Sequence, residues 1–170
     1  MRLKNLLLTS AVLLSMASAF AQIVDGGTTG PLTWQVTGAA NNYTLTISGE
    51  GAMPDYAYNS PWEQYKPDIK TILIGEGVTT IGDCAFNSCD KLTSITLSNN
   101  LTNIGDAAFY NCKALTSITI PNNVTSMGNH VFMECGKLTS VTLSTTYKYD
   151  NFGKLKQINH PAGTVTKDTL

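Results

Sequence analysis

Ile69, Leu92, Leu115 and Leu138 stand 23 residues apart, and nearly the same text follows the last three: Leu92-Thr-Ser-Ile-Thr-Leu, Leu115-Thr-Ser-Ile-Thr-Ile and Leu138-Thr-Ser-Val-Thr-Leu. The register continues through each unit with Val78, Leu101 and Val124, then Ile81, Ile104 and Met127, then Ala85, Ala108 and Val131. Phe86, Phe109 and Phe132 follow, and Cys89, Cys112 and Cys135 close the set. A unit this short cannot enclose its own apolar side chains, so the units must stack on one another, coil upon coil.

One unit shows how a coil is built. Ile95 and Leu97 alternate with Ser94 and Thr96, the period of a short strand with its apolar side inward, and β-branched Thr and Ile suit such a strand. Asn99-Asn100 and Asn122-Asn123 then supply turn residues that tolerate left-handed backbone angles. Asp83, Asp106 and Asn129 each follow a glycine, which predicts N-caps of short helices ending near the cysteines. The expected coil is therefore strand, turn, short helix and return, with the three phenylalanines in one row.

The fold class expected from this pattern is an α/β repeat, with parallel strands and a short helix in each coil. A 23-residue period opening on L-x-x-I-x-L is the spacing of a leucine-rich repeat. Ile81-Gly-Asp-Cys-Ala-Phe-Asn-Ser-Cys and Ile104-Gly-Asp-Ala-Ala-Phe-Tyr-Asn-Cys resemble the I-G-x-x-A-F-x-x-C signature of the BspA-like leucine-rich repeats of secreted and surface bacterial proteins. The resemblance runs from Ile69 to about Ser144; the third unit departs to Met127-Gly-Asn-His-Val-Phe, and no Gly-Asp-x-Ala-Phe follows Leu143. It implies a non-enzymatic solenoid that adheres to host matrix proteins or glycans. The alternative is a structural or accessory glycan-binding module, or the remnant of a longer array.

The flanks complete the organisation. Arg2 and Lys4, the apolar run Leu6 to Leu14 and small residues at Ala17, Ala19 and Ala21 have the order of a secretory signal peptide, residues 1–21. Export to the cell surface, periplasm or medium is expected, with no membrane insertion after cleavage. Residues 22–68 read as a capping region: Leu32 to Val36 and Tyr43 to Ser48 alternate as a β-hairpin with a long turn over residues 37–42, and Trp34 and Trp62 are large enough to cover the end of the stack. The same tryptophans are the candidate glycan platform. Ser60-Pro61-Trp62-Glu63 reads as a helix start with Ser60 as cap. The repeats occupy residues 69–144, three coils and a final strand, and residues 145–170 read as one more irregular turn and a tail.

Charge and chemistry narrow the function. Eleven basic residues against twelve acidic ones, in 170, give a net charge of −1 and no field to hold a phosphate backbone, so no nucleic-acid partner is expected. Two histidines, His130 and His160, leave little material for a catalytic triad, and Glu50, Asp55, Glu63 and Asp68 are the acidic residues from which a hydrolase pair would have to come. No enzyme activity, cofactor or metal is implied. Cys89, Cys112 and Cys135 repeat in register, which favours buried free thiols over disulfides, while Cys84 sits at a variable position and is the thiol expected to react. The candidate binding surface is the outward side of the strands, a field of hydroxyls: Thr93, Ser94, Thr96, Thr116, Ser117, Thr119, Thr139, Ser140 and Thr142, flanked by Lys70, Thr71 and Leu73. Its candidate ligands are an extracellular matrix protein, a peptide or a glycan.

Overall fold

The computed structural model describes residues 22–144 together with three later strand segments, 147–149, 155–158 and 164–165. The N-terminal segment read as a signal peptide and most of the C-terminal tail lie outside the described residues. In chain order the elements are β1 (Ile23–Thr29), β2 (Leu32–Ala39), β3 (Asn42–Gly49), β4 (Gly51–Ala52), a 3-10 helix (Glu63–Asp68), β5 (Ile69–Ile74), β6 (Val78–Ile81) and β7 (Ser94–Thr96). Then follow β8 (Asn103–Ile104), β9 (Ser117–Ile120), β10 (Ser126–Met127), β11 (Ser140–Leu143), β12 (Tyr147–Tyr149), β13 (Leu155–Ile158) and β14 (Thr164–Val165).

The coils have three sides. On the first, the antiparallel strands β1, β2 and β3 run on into parallel β5 and β7, while β9 and β11 form a second parallel pair whose outer edge takes β14 antiparallel. On the second side β4, β6, β8 and β10 form one continuous parallel ladder. That second strand of each coil was not expected from the sequence. The expected long hairpin turn is also shorter than its glycine and asparagines suggested: β2 and β3 pair as far as Ala39 and Asn42, leaving Ala40 and Asn41, the latter at φ 68°.

The third side corrects the expected helices. Residues 83–88, 106–111 and 129–134 are turns, with Cys84, Ser88, Ala107, Asn111, His130 and Glu134 at φ between 52° and 63°. A right-handed helix cannot contain such residues. Their amides point along the stack instead of along the chain: Cys84, Phe86 and Ser88 donate to the carbonyls of Asp106, Ala108 and Tyr110 at 2.8–2.9 Å. Ala107, Phe109 and Asn111 donate in turn to Asn129, Val131 and Met133 at 2.8–3.1 Å. All these N–H groups face the C-terminal end of the stack and all the accepting carbonyls face the N-terminal end. The predicted N-caps act between coils as well, since the Asp55, Asp83 and Asp106 carboxylates accept the backbone N–H of Asp83, Asp106 and Asn129 at 2.7–2.9 Å. Gly105 and Gly128 are required beside them, because a Cβ there would run into the carboxylates of Asp83 and Asp106. Asn99, Asn100, Asn122 and Asn123 do form turns, but none has a positive φ.

The interior is one column of rings. Phe86 stacks on Phe109 at 5.5 Å between centroids, and Phe109 on Phe132 at 5.8 Å. Trp62 begins the column, stacked on Phe86 at 5.8 Å and met edge-on by Trp34 and Tyr56. Beside it the Cys112 thiol donates to the Phe86 carbonyl and the Cys135 thiol to the Phe109 carbonyl. The cysteines are all free, as their in-register positions suggested, with Cys89, Cys112 and Cys135 buried.

At the N-terminal end the carbonyl side of the turns is met by donors from the segment before the repeats. Tyr56 N–H donates to Asp83, the Trp62 indole to Ala85 at 2.9 Å, and the Lys66 ammonium to Cys84 at 3.3 Å and to the Asn87 carboxamide oxygen. The helix carrying Lys66 is 3-10, begins at Glu63, and receives no side-chain cap; the Ser60 hydroxyl donates to the Glu63 carboxylate. Pro67 lies inside it and has no N–H to donate.

Candidate binding surface

Strand alternation places the hydroxyl residues outward, and the structure agrees for each strand. Thr93, Ser94, Thr96, Thr116, Ser117, Thr119 and Thr139 are exposed, and Ser140 and Thr142 are half-buried. Register aligns Thr71 with Ser94 and Leu73 with Thr96 on one pair, and Ser117 with Ser140 and Thr119 with Thr142 on the other. The face is not one uninterrupted plane, however. Among the described residues no ladder joins β7 to β9, and Ile95 of β7 is only half-buried where Ile72, Ile118 and Val141 are buried.

The face also reaches further than the repeats. Thr44 and Thr46 of β3 pair with Thr71 and Leu73, and Gln35, Thr33 and Thr28 continue the rows onto β2 and β1. Thr33 and Ser48 share a hydrogen bond at 2.9 Å. These positions alternate against Leu32, Trp34, Val36, Leu45 and Ile47, which are buried, so the signal was present in the hairpin sequence; it was the parallel pairing of β3 with β5 that no local pattern revealed. At the spacing of paired strands, five strands by about five residues give about 400 Å². That is about half of what a standard protein interface takes from each partner. An extended peptide or an oligosaccharide matches it better than a folded domain.

Side chains on this face are mostly uncharged. Two ion pairs lie beyond its strands: Lys91 holds Asp68 at 2.6 Å and also donates to the Asn41 carboxamide oxygen at 2.5 Å, and Lys113 holds Asp90 at 3.0 Å. The Lys91 hydrogen bond keeps the Asp68 carboxyl below its ordinary range. These links again join one coil to the next, 23 residues on.

Other candidate groups fall to structural roles. Trp34 and Trp62 are buried, which overturns the glycan-platform reading of both: no ring face is open for a sugar to stack on. Of the acidic residues weighed for a hydrolase pair, Asp55 accepts from Asp83, Glu63 pairs with Lys66 at 2.7 Å, Asp68 is held by Lys91, and Glu50 is exposed. Cys84 is the most accessible of the four cysteines, as its variable position suggested. The residue is half-buried, and burial, followed by the charge of Asp83, pushes its thiol upward, away from the thiolate. Cys135 is raised by its hydrogen bond with Cys112 and then by burial.

Among the described residues no helix is long and apolar enough to cross a membrane. No curated protein matches the chain. Among solved structures it is similar to a leucine-rich repeat protein from Bacteroides capillosus, with 23% identity and a TM-score of 0.50, over 70% of this chain and 98% of that one. It is also similar to a leucine-rich repeat protein from Eubacterium ventriosum, with 25% identity and a TM-score of 0.48, over 75% of this chain. It spans 47% of that second protein's length. The first likeness agrees with the stacked coils in fold. The family model described as the BspA type leucine rich repeat region matches residues 61–166 in six copies, more than half of the sequence. The stacked coils, the phenylalanine column and this match together place the chain in the BspA-type leucine-rich repeat family.

Proposed function

We propose that this chain is an exported, non-enzymatic binding module, whose hydroxyl face engages an extended peptide or a glycan of a host matrix or of a neighbouring cell surface. The observation that supports it most is the field of outward, uncharged hydroxyl residues, exposed or half-buried, in register from β5 to β7 and onward over β1–β3, and again from β9 to β11. Such a surface offers donors and acceptors at strand spacing without the cost of stripping water from charges. In this reading residues 22–68 cap the stack, and the N-terminal 21 residues direct export. The family resemblance supplies the adhesive role by association, not by a site.

The test is binding of the mature chain, Gln22 to Leu170, to immobilised fibronectin, fibrinogen and mucin-type glycans, with Thr96→Arg/Thr119→Arg in parallel. Saturable binding that the double variant loses while keeping its circular dichroism spectrum supports the face. Equal binding by both proteins, or none by either, rejects it.

A further inference from the structure

The turn side of the solenoid has two unlike ends. Its carbonyl end is filled by Tyr56, Trp62 and Lys66, as described above. Its N–H end lies at residues 129–134. In the two inner coils the amides of Cys84, Phe86 and Ser88, and of Ala107, Phe109 and Asn111, each reach a carbonyl of the next coil. The equivalents in the third coil are the amides of His130, Phe132 and Glu134, and among the described residues they have no partner. Peptide dipoles aligned across successive coils leave a partial positive charge at that end, as backbone N–H groups do in concave anion- and carbonyl-binding turns.

The side chains there are equally unfinished. Phe132 ends the ring column half-buried, where Phe86 and Phe109 are fully covered, and Met127 and Met133 are 43% and 48% exposed. These residues, with Gly128, His130 and Val131, line a cleft of about 400 Å³. β10 is the outer strand of its sheet as well. On the first side the chain's continuation pairs β14 antiparallel to β11, whereas β5 adds to β3, β7 to β5 and β11 to β9 in parallel. No Gly-Asp-x-Ala-Phe follows Leu143 to rebuild the turn.

We infer that the cleft lined by Met127 to Met133 is a docking site for an extended peptide segment of a partner protein, bound as a substitute fourth coil: alternate carbonyls meet the amides of His130, Phe132 and the adjoining Glu134, and an aromatic side chain stacks on Phe132. The occupant's chemistry is set by the coil-to-coil contact repeated inside this molecule, in which three carbonyls at alternate residues surround one phenylalanine. This mode resembles strand addition, except that the receiving edge offers donors alone. It is independent of the hydroxyl face.

The chain's own second turn is the natural probe. A labelled, end-blocked peptide of the sequence Ile104 to Asn111 is titrated into the full chain, beside a peptide with its phenylalanine replaced by alanine and beside the protein variant Met133→Lys. Amide hydrogen exchange is followed in parallel. The expected result is saturable binding, weakened about tenfold or more by either change because ring stacking and the apolar cleft wall are lost. Exchange at His130, Phe132 and Glu134 is expected to be faster than at Ala107, Phe109 and Asn111 in the free chain, and to slow when peptide binds. No saturation up to about 1 mM overturns the proposal. So does binding indifferent to both changes, and so does slow exchange at the three amides in the free chain, which would mean that residues 145–170 already fill the cleft.

Discussion

Lys66 is 1% exposed, and its ammonium donates to the carboxamide oxygen of Asn87, itself buried, 21 residues along the chain. The same nitrogen reaches the carbonyl of Cys84 and the carboxylate of Glu63. A buried cation is tolerated here because three acceptors face it, one of them at the carbonyl end of the aligned turns.

Removing that cation should therefore be expensive. Lys66→Met leaves the Asn87 carboxamide and the Cys84 carbonyl without their donor, and the expected loss is about 2–4 kcal/mol. Urea unfolding read by tryptophan fluorescence checks it. A shift in midpoint at unchanged slope is the expected outcome, and an unchanged midpoint would show that the lysine contributes nothing net.

The ring column predicts a gradient along the stack. Phe109→Ala opens a cavity between two stacked rings and should cost about 3–5 kcal/mol, whereas Phe132→Ala, already partly open to water, should cost well under half of that. Thermal or urea denaturation of the pair separates them. Equal losses would mean that Phe132 is as enclosed as Phe109 in solution.

The aspartate ladder gives a third expectation. Asp106→Ala removes the acceptor of the Asn129 amide and should cost about 1–2 kcal/mol, while Asp106→Asn keeps an oxygen in place and should recover most of it. If Asn is as damaging as Ala, the charge and not the hydrogen bond is what the ladder uses.

Acid should loosen the contact between the first two coils. The Lys91 hydrogen bond lowers the folded Asp68 carboxyl below its unfolded value near 3.8, so its stabilisation is complete above that pH and is lost as pH falls through the lower folded value. Stability measured from pH 5 to pH 2 should therefore decline less steeply in Lys91→Met than in the unaltered protein. A slope unchanged by the substitution would remove this pair from the acid response.

Thiol reactivity is the fifth measurement. With Cys84 shifted away from its thiolate and Cys135 raised and buried, the folded chain should react slowly with a disulfide reagent at pH 8, and all four cysteines should react at once in denaturant. A single fast thiol in the folded protein would bear out the reactive role expected of Cys84.

The sequence by itself determined the period, the stack, the inward row of Phe86, Phe109 and Phe132, the outward hydroxyls and the unpaired cysteines. Each is a statement about which residues recur at a fixed interval, and recurrence in a chain too short to fold unit by unit forces like onto like. Helices were expected from Asp83, Asp106 and Asn129 because the local sequence of an N-cap is the same whether the next amides bond within the chain or across to another coil. The choice between those bonds was made by the tertiary structure. The left-handed residues that direct the amides across are Cys84, Ala107 and His130, then Ser88, Asn111 and Glu134, and as a set they carry no glycine and no common side chain to announce the conformation. In the two inner coils the carbonyls of the next coil supply the hydrogen bonds that offset the strain of those angles. The same holds for the burial of Lys66 and for the extension of the hydroxyl face onto β1–β3. Each depends on contacts between segments distant in the sequence, and the 23-residue repeat does not encode them.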